Sequence, residues 1–172
     1  MRQRVIVYLA TTVLLGGLGG LLWANVTPLA SYTVLDSLAA FISERSQATI
    51  VAADATFTLI TGVVGLIIGV VGWVMLFRRG WWVVGVPVIA ALCASAVAWW
   101  VGTLVGSNSF ATRMAEAAAG DVVQMDLQLR SLSALLVGPF AAITPIMLLS
   151  AFWPERRAAT PADAPADGLG DR

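Results

Sequence analysis

The chain has no histidine, no lysine and only one cysteine in 172 residues. Without histidine there is no imidazole base and little basis for a zinc site, and one cysteine cannot form an intrachain disulfide. Ten arginines balance ten acidic residues, so no net positive charge attracts a nucleic-acid backbone. We therefore expect no nucleic-acid partner, no metal, no cofactor and no enzyme activity.

Charged residues of any kind are also scarce. Charged residues make up 12% of the chain and hydrophobic residues make up 59%. In a soluble domain about 25% of residues are charged and roughly 45–50% are apolar. Four windows contain no charged residue, namely 5–23, 56–77, 81–105 and 132–153. Each has about the 20 apolar residues that a helix needs to cross a bilayer, and none alternates like a barrel strand. The sequence predicts an all-α, integral membrane four-helix bundle over residues 1–153.

The distribution of arginine predicts the orientation. Cytoplasmic flanks of membrane helices carry the excess of positive side chains. Six arginines lie next to the span ends on the side of the two termini, and three arginines lie on the opposite side. We therefore expect a multi-pass plasma-membrane protein with both termini cytoplasmic and with segments 24–55 and 106–131 outside. The seven tryptophans fall near the predicted span ends, as interfacial indoles do, and Trp23 ends the first span.

The two outside segments and the tail differ in composition. Residues 34–45 fit a short amphipathic helix and residues 48–53 fit either helix or strand, and the sequence leaves this choice open. Residues 112–129 have few helix breakers, which predicts a helix that continues toward the fourth span. Residues 154–172 are rich in Ala, Pro, Asp and Gly, which predicts a disordered cytoplasmic tail.

Small residues form a stripe on the second predicted span. Spacings of three and four keep its glycines on one face of the helix. The stripe consists of Gly62, Gly65, Gly69 and Gly72. In lipid, such faces allow close backbone approach between helices. We interpret the stripe as internal helix packing, with a homo-oligomer or a membrane-protein partner as the alternative. The glycines at 16, 17, 19 and 20 point in several directions and predict only a flexible first span.

Carboxylates outside the membrane offer a candidate polar site. Asp54 stands just before the second predicted span, where we expect it to cap the helix. Glu44 and Asp54 could also gather with acidic residues of segment 106–131 and bind a cation or act as acid and base. Their spacing matches no known ligand loop, so solvated loop charges are the simpler interpretation.

The four windows contain no Asp, Glu, Arg, Lys or His, which argues against a proton-coupled transporter. The leading hypothesis is a non-catalytic integral membrane protein that acts as a packing or interaction component of the cell envelope. The alternative is a small permease subunit or an oligomeric pore that moves a solute across the membrane.

Residues 43–73, with Glu44, the run 52–54, Phe57, Leu59 and the glycines that end at Trp73, are followed by two arginines. This pattern resembles a family of small four-pass actinobacterial membrane proteins known only as a domain of unknown function. The resemblance implies a plasma-membrane location and the topology given above, and it implies no activity, cofactor or catalytic residue. Ala55 stands where the family pattern leads us to expect glycine.

Overall fold

The computed structural model describes residues 2–34, 40–41, 44–77, 79–107 and 109–152. These residues are mostly helical, and four helices are long and apolar enough to cross a membrane. In chain order the elements are α1 (Arg2–Val26), β1 (Ser31–Val34), β2 (Ala40–Phe41), α2 (Glu44–Leu76), α3 (Trp82–Val105), α4 (Phe110–Glu116), β3 (Val122–Gln124), a 3-10 helix (Leu132–Leu136) and α5 (Val137–Phe152). The first three predicted windows fall on α1, α2 and α3, and the fourth falls on the 3-10 helix and α5, which confirms a mostly helical fold. The predicted tail, 154–172, lies outside the described residues.

The four long helices form a bundle in which α2 and α3 occupy the centre. Helix α1 packs mainly on α3, and α5 packs mainly on α2. Successive helices run in opposite directions, so α1 is parallel to α3 and α2 is parallel to α5. We call the end that carries the three strands and α4 the loop end, and the end that carries the Arg79–Gly80 turn the turn end.

The loop end contains a small antiparallel sheet with strand order β2-β1-β3. Strand β1 comes from the segment between α1 and α2, and β3 comes from the segment between α3 and α5. Tyr32 lies opposite Val123, and Thr33 lies opposite Val122. The prediction of a helix over 112–129 is therefore wrong beyond Glu116. Gly120, at φ 93°, turns the chain and allows the next residues to pair with β1.

Helix α2 begins earlier than the apolar window indicated. Its 33 residues extend about 50 Å at 1.5 Å per residue, well beyond a hydrocarbon core of about 30 Å. Residues 48–53 are therefore helical, and Asp54 lies inside α2, ten residues after its start at Glu44. The prediction that Asp54 caps this helix is wrong, because capping amides occur only in the first turn.

Two of the tryptophans are buried within the bundle and not placed at its surface. The Trp23 side chain is 0% exposed and that of Trp73 is 8% exposed. The Trp23 indole N–H donates to the Ala53 carbonyl at 2.9 Å, and its ring meets the edge of Phe57 at 5.0 Å between centroids. Gly102 of α3 leaves the space that the indole fills. Both rings therefore contact protein, and the polar N–H of Trp23 is satisfied there.

Candidate functional site

The glycine stripe of α2 lies inside the bundle. A Cβ atom on Gly65 would overlap the carbonyl oxygen of Gly138, and one on Gly69 would overlap the carbonyl oxygen of Ala142. Gly65 and Gly69 are four residues apart, and so are their neighbours Gly138 and Ala142. A repeat of small residues on α2 therefore packs, backbone to backbone, on a repeat of small residues on α5. In a membrane the hydrophobic effect does little to hold helices together, because lipid tails are as apolar as the side chains. Close van der Waals contact between backbones stabilises helix pairs there instead.

The outer members of the stripe make different contacts. Gly72 faces the ring of Pro87 in α3, and a Cβ there would come 2.9 Å from the Tyr8 hydroxyl. At Gly62 the nearest atom would be a methyl group of Val137 at 3.7 Å, an ordinary contact. The stripe is thus closely packed at Gly65, Gly69 and Gly72 and loose at Gly62.

A second, equivalent seam joins α1 to α3. A Cβ on Gly16 would overlap the Ala94 carbonyl oxygen, and one on Gly20 would overlap the Ala98 carbonyl oxygen. The expectation that these glycines only loosen the first span is wrong, because two of them are closely packed against α3. Their four-residue spacing is the signal that could have identified them, since small residues four apart face one neighbour.

Asp54 links α2 to the chain that enters α5. Its Oδ1 accepts the main-chain N–H of Arg130 at 3.1 Å, and its Oδ2 accepts that of Ser131 at 2.9 Å. These amides precede the 3-10 helix, so the carboxylate also lies where a helix start favours negative charge. The side chain of Glu44 lies outside the described residues, so its predicted grouping with Asp54 is not described.

Two further carboxylates of the loop end hold main-chain turns. Asp126 accepts the N–H of Phe110 at 3.2 Å and forms an ion pair with Arg113 at 3.3 Å, which ties β3 to the start of α4. Asp121 accepts the N–H of Ala118 at 2.8 Å and closes the turn before β3. These side chains serve as acceptors for backbone groups and fold the loop end.

A small cavity lies among the described residues of the loop end. A cavity of about 30 Å³ lies beside Thr49, Ala53, Asp126 and Arg130, which is room for about one water molecule. Among the described residues, no three acidic or cysteine side chains lie close enough together to hold a metal ion.

No known protein family, curated protein or solved structure matches the chain. The resemblance to actinobacterial four-pass proteins therefore stays a prediction.

The described bundle centre is filled by small and apolar side chains. Ala91, Ala94 and Ala142 are almost completely buried there. The buried hydroxyl of Thr61 donates to the Phe57 carbonyl at 2.9 Å, within its own helix. Hydroxyls satisfied in this way need no water and provide no polar track through the bundle.

Proposed function

We propose that this protein is a non-catalytic integral membrane protein whose loop end binds another component of the cell envelope. In this proposal the four apolar helices insert in the plasma membrane, both termini are cytoplasmic, and the loop end faces outside. The helices serve as a rigid anchor, and the loop end is the part that meets a partner.

The observation that carries the proposal is that both long segments fold together. Strand β1 pairs with β3 across the two segments, and Asp54 bonds the main chain ahead of α5. A loop end that only connected helices would need neither contact. The folded unit presents a fixed surface, with Val122 of β3 64% exposed, and a preorganised surface loses less entropy on binding.

The packing of the helices supports an anchor more than a permease or pore. Backbone contacts at Gly16, Gly20, Gly65 and Gly69 join both helix pairs so closely that a side chain would not fit between them. Solute paths are most often lined by polar or ionisable groups that face a cavity. The buried hydroxyls of Thr12 and Thr61 bond instead to carbonyls of their own helices.

Site-specific photocrosslinking in intact cells tests the proposal. A photoreactive residue at Val122 reports on the loop end, and one at Leu148 of α5, which is 56% exposed, reports on the apolar surface of the bundle. We expect a discrete crosslinked product from position 122 that disappears in the Asp54→Ala background. A protein that remains uncrosslinked at 122 and at the exposed Thr33, and that purifies only as a solitary monomer, would contradict the proposal.

A further inference from the structure

A furrow runs along the outside of the bundle where α1 meets α2. Its part nearest the loop end is an apolar groove of about 450 Å³ between residues 15–26 and 56–64. A smaller hollow of about 130 Å³ follows and shares Leu15 with it. The hollow in turn shares Tyr8 and Met75 with a cavity of about 210 Å³ at the turn end. These three hollows therefore follow one another along α1 from the loop end to the turn end, and we call the series the furrow.

The half of the furrow at the turn end has the length of one lipid leaflet. It extends along α1 from Val5 to Leu15, ten residues or about 15 Å, against about 30 Å for the whole hydrocarbon core. Val7, Ile67 and Val71 line it. The hydroxyl of Thr11, which also lines it, donates to the Val7 carbonyl at 2.8 Å and is thus satisfied within α1. The walls are therefore suited to a hydrocarbon chain.

A cation lies where this half of the furrow ends. Arg79 lines the last cavity together with Val5, Leu76 and Val86, so the cavity lies between three helices. Among the described residues every acidic side chain belongs to the loop end, so none of them faces Arg79. The sequence reinforces this asymmetry: six arginines and a single acidic residue lie within five positions of the span ends on that side.

We propose that the turn-end half of the furrow binds one anionic phospholipid, with its phosphate on Arg79 and one acyl chain between α1 and α2. Basic pockets between membrane helices on the cytoplasmic side are the sites that take anionic head groups. The Tyr8 hydroxyl donates to the Ile68 carbonyl at 2.9 Å and holds α1 against α2. The hollow beside this contact, at about 130 Å³, is too small for a helix about 10 Å across, which favours a chain over a partner helix. The inference depends on the proposed membrane insertion and not on the proposed partner at the loop end.

Native mass spectrometry of the full chain, delipidated in detergent, tests the site. The probes are phosphatidylglycerol and phosphatidylcholine with identical acyl chains. The head-group variant is Arg79→Gln, with Arg130→Gln at the loop end as its control. The chain variant is Val71→Phe, with Val70→Phe as its control. Val70 and Val71 are 44% and 42% exposed, and only Val71 lines the furrow.

We expect wild type to bind one phosphatidylglycerol about fivefold more tightly than phosphatidylcholine, since one arginine near the head group contributes on the order of 1 kcal/mol. Arg79→Gln should remove this preference, Val71→Phe should weaken binding of both lipids, and both controls should bind as wild type does. Equal binding of the two lipids by wild type would overturn the proposal. Displacement of phosphatidylglycerol by inorganic phosphate would also overturn it, because the site would then recognise phosphate and not a lipid. A dimer that dissociates only in Val71→Phe would overturn it too, because a second copy would then occupy the furrow.

Discussion

The carboxylate of Asp54 accepts the main-chain N–H of Ser131 at 2.9 Å across 77 positions of sequence. The neighbouring N–H of Arg130 donates to the other carboxylate oxygen. One side chain of α2 therefore fixes the path of the chain as it enters α5. The two bonds join α2 to the segment that supplies β3, so they connect the bundle to the loop end.

Replacing Asp54 with alanine removes both acceptors, and we expect the loop end to open while the bundle persists. Hydrogen bonds to a charged group contribute about 1.5–3 kcal/mol when buried and less near solvent. Hydrogen exchange followed by mass spectrometry should show faster exchange over residues 122–134 and unchanged exchange over 60–72. Asp121→Ala, which loses only the bond to Ala118, is the control. Unchanged exchange over 122–134 in Asp54→Ala would show that the carboxylate does not hold this segment.

Gly65 is a position where even one methyl group should destabilise the bundle. A Cβ there would overlap the Gly138 carbonyl oxygen, whereas Gly62 has room for one. Overpacking costs about 1–3 kcal/mol, so Gly65→Ala should lower the thermal midpoint in detergent micelles, and Gly65→Leu should lower it further. Gly62→Ala should leave it unchanged. Equal midpoints for Gly62→Ala and Gly65→Ala would place the stripe away from α5.

Trp23 should contribute to stability through its indole N–H as well as its area. Trp23→Phe keeps an aromatic ring but removes this second donor to the Ala53 carbonyl, at a cost of about 0.5–1.5 kcal/mol. We expect a lower thermal midpoint than wild type. The matched variant is Trp100→Phe, because Trp100 is 63% exposed and packs loosely. If both variants melt at the same temperature, the indole bond contributes nothing measurable.

Topology can be tested by labelling single cysteines in intact cells. In a Cys93→Ala background, Ala119→Cys reports on the exposed loop end and Gly80→Cys reports on the exposed turn end. We expect a membrane-impermeant thiol reagent to label Ala119→Cys at once and Gly80→Cys only after the cells are lysed. The reverse order would invert the orientation that the arginines predict. Labelling of both positions in intact cells would refute a helix crossing between them.

The four apolar helices could be predicted from the sequence because they depend on composition. A run such as 132–153 without one charged residue can satisfy its backbone in lipid as a helix. Only one of the two glycine contacts between helices can be predicted from the sequence. The stripe at Gly65 and Gly69 was recognised by its periodicity. That at Gly16 and Gly20 was obscured by the adjacent Gly17 and Gly19.

The loop end could not be predicted, because its contacts join residues far apart in sequence. Residues 112–129 have helical propensity, but pairing with β1 overrides it from Val122 onward. Asp54 suggested a helix cap because the apolar window begins two residues later. Its acceptors instead serve amides 76 and 77 positions away, and only the fold brings these groups together.

The central claim, that both long segments fold into one unit at the loop end, can be tested with a pair of cysteines. Thr33 and Val122 are exposed partners across β1 and β3, and Cα atoms of such partners lie about 4.5–5.5 Å apart, within reach of a disulfide. In a Cys93→Ala background we expect Thr33→Cys with Val122→Cys to give an intrachain disulfide-linked peptide by non-reducing mass spectrometry. Thr33→Cys with Val123→Cys, whose side chains point to opposite faces, should give little. Absence of the link in the first pair, or equal yield in both, would contradict the account.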